Sequence, residues 1–272
     1  MKTWFITGAT RGFGALIMEA VLASGDAVVA TARDPSSIAD HPRLLKLPLD
    51  VTNEGQARDA AAGGVEKFGA IDVLVNNAGY GLLGAVEESS AVEVERVFAT
   101  NVFGLLNVTR AVLPYMRKRR SGHIINMSSV GGYTASYPGW GVYCATKFAV
   151  EGISEALSVE LAPFGIHATV VEPGFFRTDF LSAQSLSNTA ARIDDYADTV
   201  GKMRTLAATL NHQQLGDPLR LAQVIVRLAS EKNPPTRLAL GSDTVARVEE
   251  KNRAVQRELD HWRPVSLSTD FT

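Results

Sequence analysis

A chain of 272 residues with 46% hydrophobic content is long enough to bury one large α/β core. Its formal charge of −2 gives no electrostatic footing for nucleic acid or an anionic membrane, and a single cysteine, Cys144, rules out an intrachain disulfide. A strand beginning at residue 2 or 3 leaves no room for a signal peptide, and no apolar run reads as long enough to span a bilayer, so a cytoplasmic protein is expected.

The chain opens with Lys2-Thr3-Trp4-Phe5-Ile6-Thr7, a short run rich in β-branched and aromatic residues that reads as a strand over 3–7. Gly8-Ala9-Thr10-Arg11-Gly12-Phe13-Gly14 follows, and then an amphipathic pattern in which Leu16, Ile17, Ala20 and Val21 share a face, predicting a helix over 13–24. A strand, a glycine loop and a helix N-terminus together make an anion site, because backbone N–H groups point outward and the helix dipole favours negative charge. Further strands are predicted near 27–32, 44–48, 71–76, 122–128, 166–172 and 237–241, and helices near 53–67, 88–118, 142–162, 217–230 and 243–260. This alternation predicts a single α/β domain over 1–272, a doubly wound Rossmann-type parallel sheet of about seven strands with helices on both faces.

Arg117-Lys118-Arg119-Arg120 reads as a solvated helix end that complements the dipole. Tyr143 and Lys147 lie four apart, on one face of a predicted helix. A cation near a phenol stabilises the phenolate and is expected to draw the Tyr143 pKa down toward the range of efficient proton transfer. Cys144 beside it reads as packing rather than a reactive thiol. Residues 181–215 are polar at first, then weakly helical, and Asp217-Pro218 reads as the N-cap and first position of the next helix. Residues 242–272 read as a charged C-terminal helical extension, and no metal site is expected.

These landmarks, in this order, resemble the short-chain dehydrogenase/reductase family over roughly residues 3–180. The resemblance implies a nicotinamide cofactor held by Gly8, Thr10, Arg11, Gly12, Phe13 and Gly14, with Asp50 and Val51 meeting the adenine. It also implies that Asn77, Ala78 and Gly79 border the cofactor, and that Pro173, Gly174, Phe176 and Thr178 clamp the nicotinamide. The implied catalytic set is Asn101, Ser129, Tyr143 and Lys147, the last two also touching cofactor. Ser129 stands one residue further from Tyr143 than is usual in the family, which places an extra residue within 133–142; Ser128 fits worse. The segment 181–215 takes the place of the family's substrate lid.

An NAD-specific member of the family carries an acid where this chain has Ala32, and Arg33 follows at once. With Arg11, it is expected to meet a 2′-phosphate, so the predicted cofactor is NADP(H). Tyr80, Leu82, Leu83, Tyr133, Tyr137, Trp140, Phe175, Phe180 and Leu181 are candidate pocket residues, and their character favours a small apolar ketone or aldehyde and its alcohol. A catalytically silent NADP(H)-binding regulator and an extended-class epimerase stay open as alternatives. The long helices 88–118 and 142–162 match those that pair across a two-fold axis in the family, so a homodimer is expected, with a tetramer possible.

Overall fold

The computed structural model describes residues 1–210 and 213–271. In chain order its elements begin β1 (Thr3–Thr7), α1 (Gly12–Ala23), β2 (Ala27–Ala32), β3 (Leu44–Pro48), α2 (Glu54–Phe68), β4 (Val73–Asn76) and β5 (Gly81–Leu83). They continue with α3 (Ala91–Phe98), α4 (Leu105–Arg119), β6 (Gly122–Met127), α5 (Gly141–Leu161), β7 (Ile166–Pro173) and β8 (Leu186–Asn188). The last are α6 (Lys202–Thr209), α7 (Pro218–Leu228), β9 (Arg237–Leu240) and α8 (Ser242–Leu267).

Seven strands form one sheet in the order β3-β2-β1-β4-β6-β7-β9, with every pairing parallel. The period of two along β1 assigns its side chains to two cores. Trp4 and Ile6 pack with Ile17 and Val21 of α1 and Leu221 and Ile225 of α7, whereas Phe5 packs with Val108 and Val112 of α4 and Leu157 of α5. The chain order reverses between β1 and β4, which opens a crevice at the carboxyl ends of these strands. Local signals set the helix ends: Asn53 Oδ1 accepts from Gln56 N at the start of α2, Gly69 ends it at φ 83°, and Asp217 caps α7 with Pro218 in its first turn.

Three features depart from the sequence reading. The predicted helix 88–118 is α3 and α4 joined by a wide π turn over Ala99–Gly104, which adds a residue to the turn and swings Asn101 inward. A small second sheet pairs β5 with β8, a contact between residues a hundred positions apart that no local pattern announces. The continuous run Ala91–Arg119 is, by length and composition, long and apolar enough to cross a membrane, which corrects the expectation that no such run exists. Here it packs on α2 and the sheet, with 56% of its most apolar window buried.

Candidate active site

The loops at the switch point are tied together by short side chains. Thr7 Oγ1, at the end of β1, accepts from the backbone N–H groups of Asn77 (2.9 Å) and Ala78 (3.0 Å). Asn77 Nδ2 returns bonds to the carbonyls of Thr7 and Gly8. Gly8 and Gly12 adopt φ 67° and 55°, which favours glycine. A Cβ on Gly14 would come within 2.2 Å of the Gly8 carbonyl oxygen, so close packing of α1 under the loop requires a glycine there. At Gly12 a Cβ would meet nothing within 4 Å, because that face of the loop opens into a cleft of about 740 Å³.

The same cleft is lined by Arg33, Asp50, Val51, Gly79, Ser129, Tyr143, Lys147, Pro173, Gly174, Phe176 and Thr178, which lie far apart in sequence. Asp50 is held by Thr52, whose N–H and hydroxyl both donate to Oδ1. Arg33 is exposed and forms no ion pair among the described residues; Asp34 instead accepts from Ser36 N at 3.0 Å. Arg11 lines the same cleft. Its Nη2 donates to the Gln184 carbonyl at 2.6 Å, so the guanidinium reaches across the cleft to the segment after β7.

Tyr143 and Lys147 lie on the first turns of α5, both only 7% exposed. Lys147 Nζ sits 5.8 Å from the Tyr143 ring centroid and donates to the Met127 carbonyl at 2.8 Å. Ser129 follows β6 and caps a tight turn over Val130–Gly132, its Oγ accepting from Gly131 N. A Cβ on Gly131 would lie 3.5 Å from Ser129 Oγ and 3.6 Å from Tyr143 Cε1, which places that hydroxyl beside the phenol. Ser128 also lines the cleft, but its buried Oγ is turned toward Glu151: a Cβ on Gly132 would meet that Oγ at 2.4 Å and Glu151 Oε1 at 2.8 Å. Asn101 lies under Gly79 rather than on the cleft wall. Its amide holds both backbone groups of Tyr80, at 3.0 and 2.9 Å, and donates to Thr146 Oγ1.

The electrostatics correct one expectation. Burial pushes the Tyr143 phenol above its ordinary range, a hydrogen bond from Ser129 opposes this, and Cys144 adds to it. The cation on the next turn does not reverse the direction, because burial also disfavours its charge. Lys147 is brought down to about 8 by desolvation, with Glu151 pulling the other way. Glu151 is itself raised, by burial first, and is gripped by Arg237, which also holds Glu172 and Glu155. The Cys144 thiol is pushed up to about 11 by burial, in keeping with a packing role.

Rings line the side of the cleft nearest Tyr143. Trp140 and Phe180 each place their centroid 5.6 Å from it, and Tyr137 meets Phe175 edge-on at 5.6 Å. Tyr80 and Leu181 also face the cleft. Leu82 and Leu83 do not: they alternate with the strand β5 into the interior and are 2% and 1% exposed. Tyr133 lies outside, under Arg237 and hydrogen-bonded to Asn252 of α8. Residues 182–210 are fastened to the body by Arg204, which reaches Glu88 Oε2 at 2.6 Å and Thr189 Oγ1 at 2.9 Å. The sequence reading missed Arg247 and Ser136, which also line the cleft, and Arg204 and Glu88, which shape its wall. Each sits among ordinary polar residues, and only the tertiary fold gives it a partner.

A family model described as short chain dehydrogenase matches residues 2–188. The oxidoreductase BOA17 of Botryotinia fuckeliana is 37% identical, covering 98% of this chain and 99% of its own. The 3-ketodihydrosphingosine reductase of Bacteroides thetaiotaomicron is 41% identical over 87% of this chain and 86% of its own. Among solved structures, a short-chain dehydrogenase from Streptomyces avermitilis superposes with a TM-score of 0.92 at 41% identity, covering 99% of both chains. The chain therefore belongs to the short-chain dehydrogenase/reductase family and is an oxidoreductase that works with a nicotinamide cofactor.

Proposed function

We propose that this oxidoreductase interconverts a ketone or aldehyde of largely apolar body with its alcohol, using NADP(H). The observation that carries this reading is the convergence of Ser129, Tyr143 and Lys147 on one cleft with the glycine loop, beside a wall of aromatic rings. The residues fit the cofactor. Gly12 leaves open space where a side chain would stand, the loop N–H groups begin α1, and Arg33 is an exposed cation, unpaired among the described residues, beyond β2, where the adenosine ribose lies in a dinucleotide site. Arg33 would hold the 2′-phosphate, Asp50 and Val51 would border the adenine, and Pro173, Gly174 and Thr178 the nicotinamide.

When bound, the cofactor supplies or accepts the hydride at the carbonyl carbon. Tyr143, whose phenol burial keeps protonated at neutral pH, gives its proton to the carbonyl oxygen as negative charge develops there. Ser129 Oγ hydrogen-bonds the same oxygen and fixes its position. Lys147 contributes charge close to Tyr143 and a donor toward the ribose. Asn101 acts as a positioning residue, fixing the Tyr80 backbone and Thr146 beside it. The Bacteroides relative, a 3-ketodihydrosphingosine reductase, supports the ketone direction. Segment 181–215, of which residues 211 and 212 lie outside the described residues, would serve as the substrate lid. We also propose a homodimer through α4 and α5, supported by exposed aromatic side chains on α5 and on the turn before α4, Phe148 at 44% and Phe103 at 56% exposed.

The test is oxidation of NADPH and of NADH, followed at saturating concentrations of a mixed panel of apolar ketones and aldehydes. Turnover with NADPH preferred at least about tenfold is the expected result, given that charged phosphate contacts contribute about 1.5–3 kcal/mol. No turnover with any carbonyl would overturn the reading, and equal efficiency with NADH would overturn the choice of cofactor.

A further inference from the structure

We propose that Arg247 is a specificity-determining residue that takes the anionic end, a carboxylate, of a substrate whose body lies along the aromatic wall. The inference deepens the proposed reaction and rests on it only for the identity of the reacting end. Arg247 stands on the second turn of α8 and lines the cleft that holds Tyr143, although the helix enters the fold a hundred residues later. Its guanidinium carbon lies 4.2 Å above the Tyr137 ring. Nη1 donates to Ser136 Oγ at 2.9 Å and Nη2 donates to the Tyr137 hydroxyl. A planar cation stacked on a ring and tied at two corners is fixed in orientation before any ligand arrives.

What the guanidinium lacks is an acid. No described carboxylate lies within ion-pair distance of Arg247, whereas Arg204 and Arg237 each hold buried glutamates. The nearest candidate, Asp243, is one turn earlier on α8, but its Oδ2 accepts from Phe175 N at 2.8 Å, which ties it to the turn after β7. Among the described residues the half-buried cation therefore meets the cleft with two hydroxyls and the Tyr137 ring as its close partners, and no carboxylate in ion-pair contact. The rings beside Arg247, from Tyr137 and Phe175, and those beside Tyr143, from Trp140 and Phe180, line the same cleft and suit an apolar chain. The substrate that matches this order is an oxo acid whose carbonyl meets Tyr143 while its carboxylate meets Arg247. A cationic amino ketone is disfavoured by the same charge.

Binding decides the inference separately from catalysis. Medium-chain oxo acids of graded length, their methyl esters and length-matched amino ketones are titrated into the NADP⁺-loaded protein, with the change in tryptophan fluorescence as readout, and are then assayed for reduction. The acid is expected to bind at least about tenfold tighter than its ester at one optimal length, the order expected for a charge-assisted contact. The amino ketone should bind weakest. Arg247→Ala should cost the acid at least tenfold more than the ester, and Arg247→Lys should restore part of the difference. The KM for NADPH should stay constant across the variants. Acid and ester binding alike in the wild type would overturn the proposal. So would equal losses for both ligands in Arg247→Ala with a lowered melting temperature, which would mark Arg247 as an anchor for α8 alone. Selective binding of acids without any reduction would instead sink the proposed reaction and leave the anion site standing.

Discussion

The two walls of the cleft hold their shape by different means. On the cofactor wall the contacts join backbone to short side chains in neighbouring loops, as when Thr7 and Asn77 lace the turns after β1 and β4 together. On the substrate wall they run from long, mostly charged side chains to partners on other elements: Arg204 to Glu88, Arg247 to Tyr137, and Arg11 of the glycine loop to the Gln184 carbonyl. The first wall follows from glycine conformations and strand order and tolerates little change. The second depends on a few charged contacts, so its shape can be retuned without disturbing the sheet.

The largest expected effect tests whether those charged contacts carry the substrate wall. Glu88 is buried and accepts from Arg204, Ala85 N at 2.8 Å and Ile193 N at 2.9 Å. Glu88→Ala leaves the Arg204 charge without its partner, and breaking a buried pair in this way costs about 3–5 kcal/mol. Hydrogen exchange should speed up across 186–207, while β1 and β4 keep their protection. Uniform loss of protection, or none, would show that the two walls are not separable. Acid should have the same effect. Arg204 and the backbone donors hold the Glu88 pKa down at about 2, below the roughly 4.3 of an unfolded glutamate. Its contribution is thus present above the unfolded value and lost as pH falls through the folded one.

Next comes the phenol where the walls meet. Tyr143→Phe keeps the ring packed between Trp140 and Phe180 and removes only the proton donor. Turnover should fall at least about 100-fold, the scale of a positioned general acid, with cofactor affinity retained. Ser129→Ala should also lower turnover strongly, whereas Ser128→Ala, whose hydroxyl is turned toward Glu151, should not. A folded Tyr143→Phe protein with near-normal turnover would falsify the assignment.

How far each wall could be read in the sequence follows from the same contrast. The glycine loop, the seven strands of the main sheet and the Asp217 cap are local signals, and the structure places them within a few residues of the sequence reading. Ser129 was chosen over Ser128 despite its irregular spacing, and the structure sets Ser129 beside Tyr143; the loop that absorbs the extra residue includes Gly139 at φ 79°. Leu82 and Leu83 were misplaced because strand β5, which turns them inward, exists only through pairing with β8. Arg247 looked like one more charge on a solvated helix, and nothing local says that Tyr137 waits under it. The direction of the Tyr143 pKa was misread for a related reason. A neighbouring lysine is visible in the sequence, whereas the burial that outweighs it is not.

A smaller effect probes the cofactor wall. Arg33 makes no ion pair among the described residues and lines the cleft beside Ala32, so Arg33→Ala should raise the KM for NADPH about tenfold and leave that for NADH nearly unchanged. Arg11→Ala should differ, because that guanidinium already holds the Gln184 carbonyl. Its loss should loosen the lid and alter the kinetics with both cofactors. If Arg11→Ala alone removes the preference, the phosphate is read from the glycine loop and the substrate wall must release Arg11 to do so.

The smallest effect concerns the charge behind both walls. Lys147 titrates at about 8 because burial penalises its ammonium, and Glu151, one turn further along α5, partly offsets that penalty. If the ammonium assists Tyr143 and binds the ribose, kcat/KM for reduction should decline as pH rises through about 8. Glu151 does not touch the cleft; it is held by Arg237 and faces Ser128 across Gly132. Glu151→Gln keeps the shape and removes the negative charge, so the Lys147 pKa should drop and the alkaline limb should move to lower pH. Because the change reaches the reaction only through Lys147, activity near neutral pH should fall modestly while the profile shifts. A limb that stays in place while activity drops at every pH would make Glu151 a packing residue and leave Lys147 tuned by burial alone.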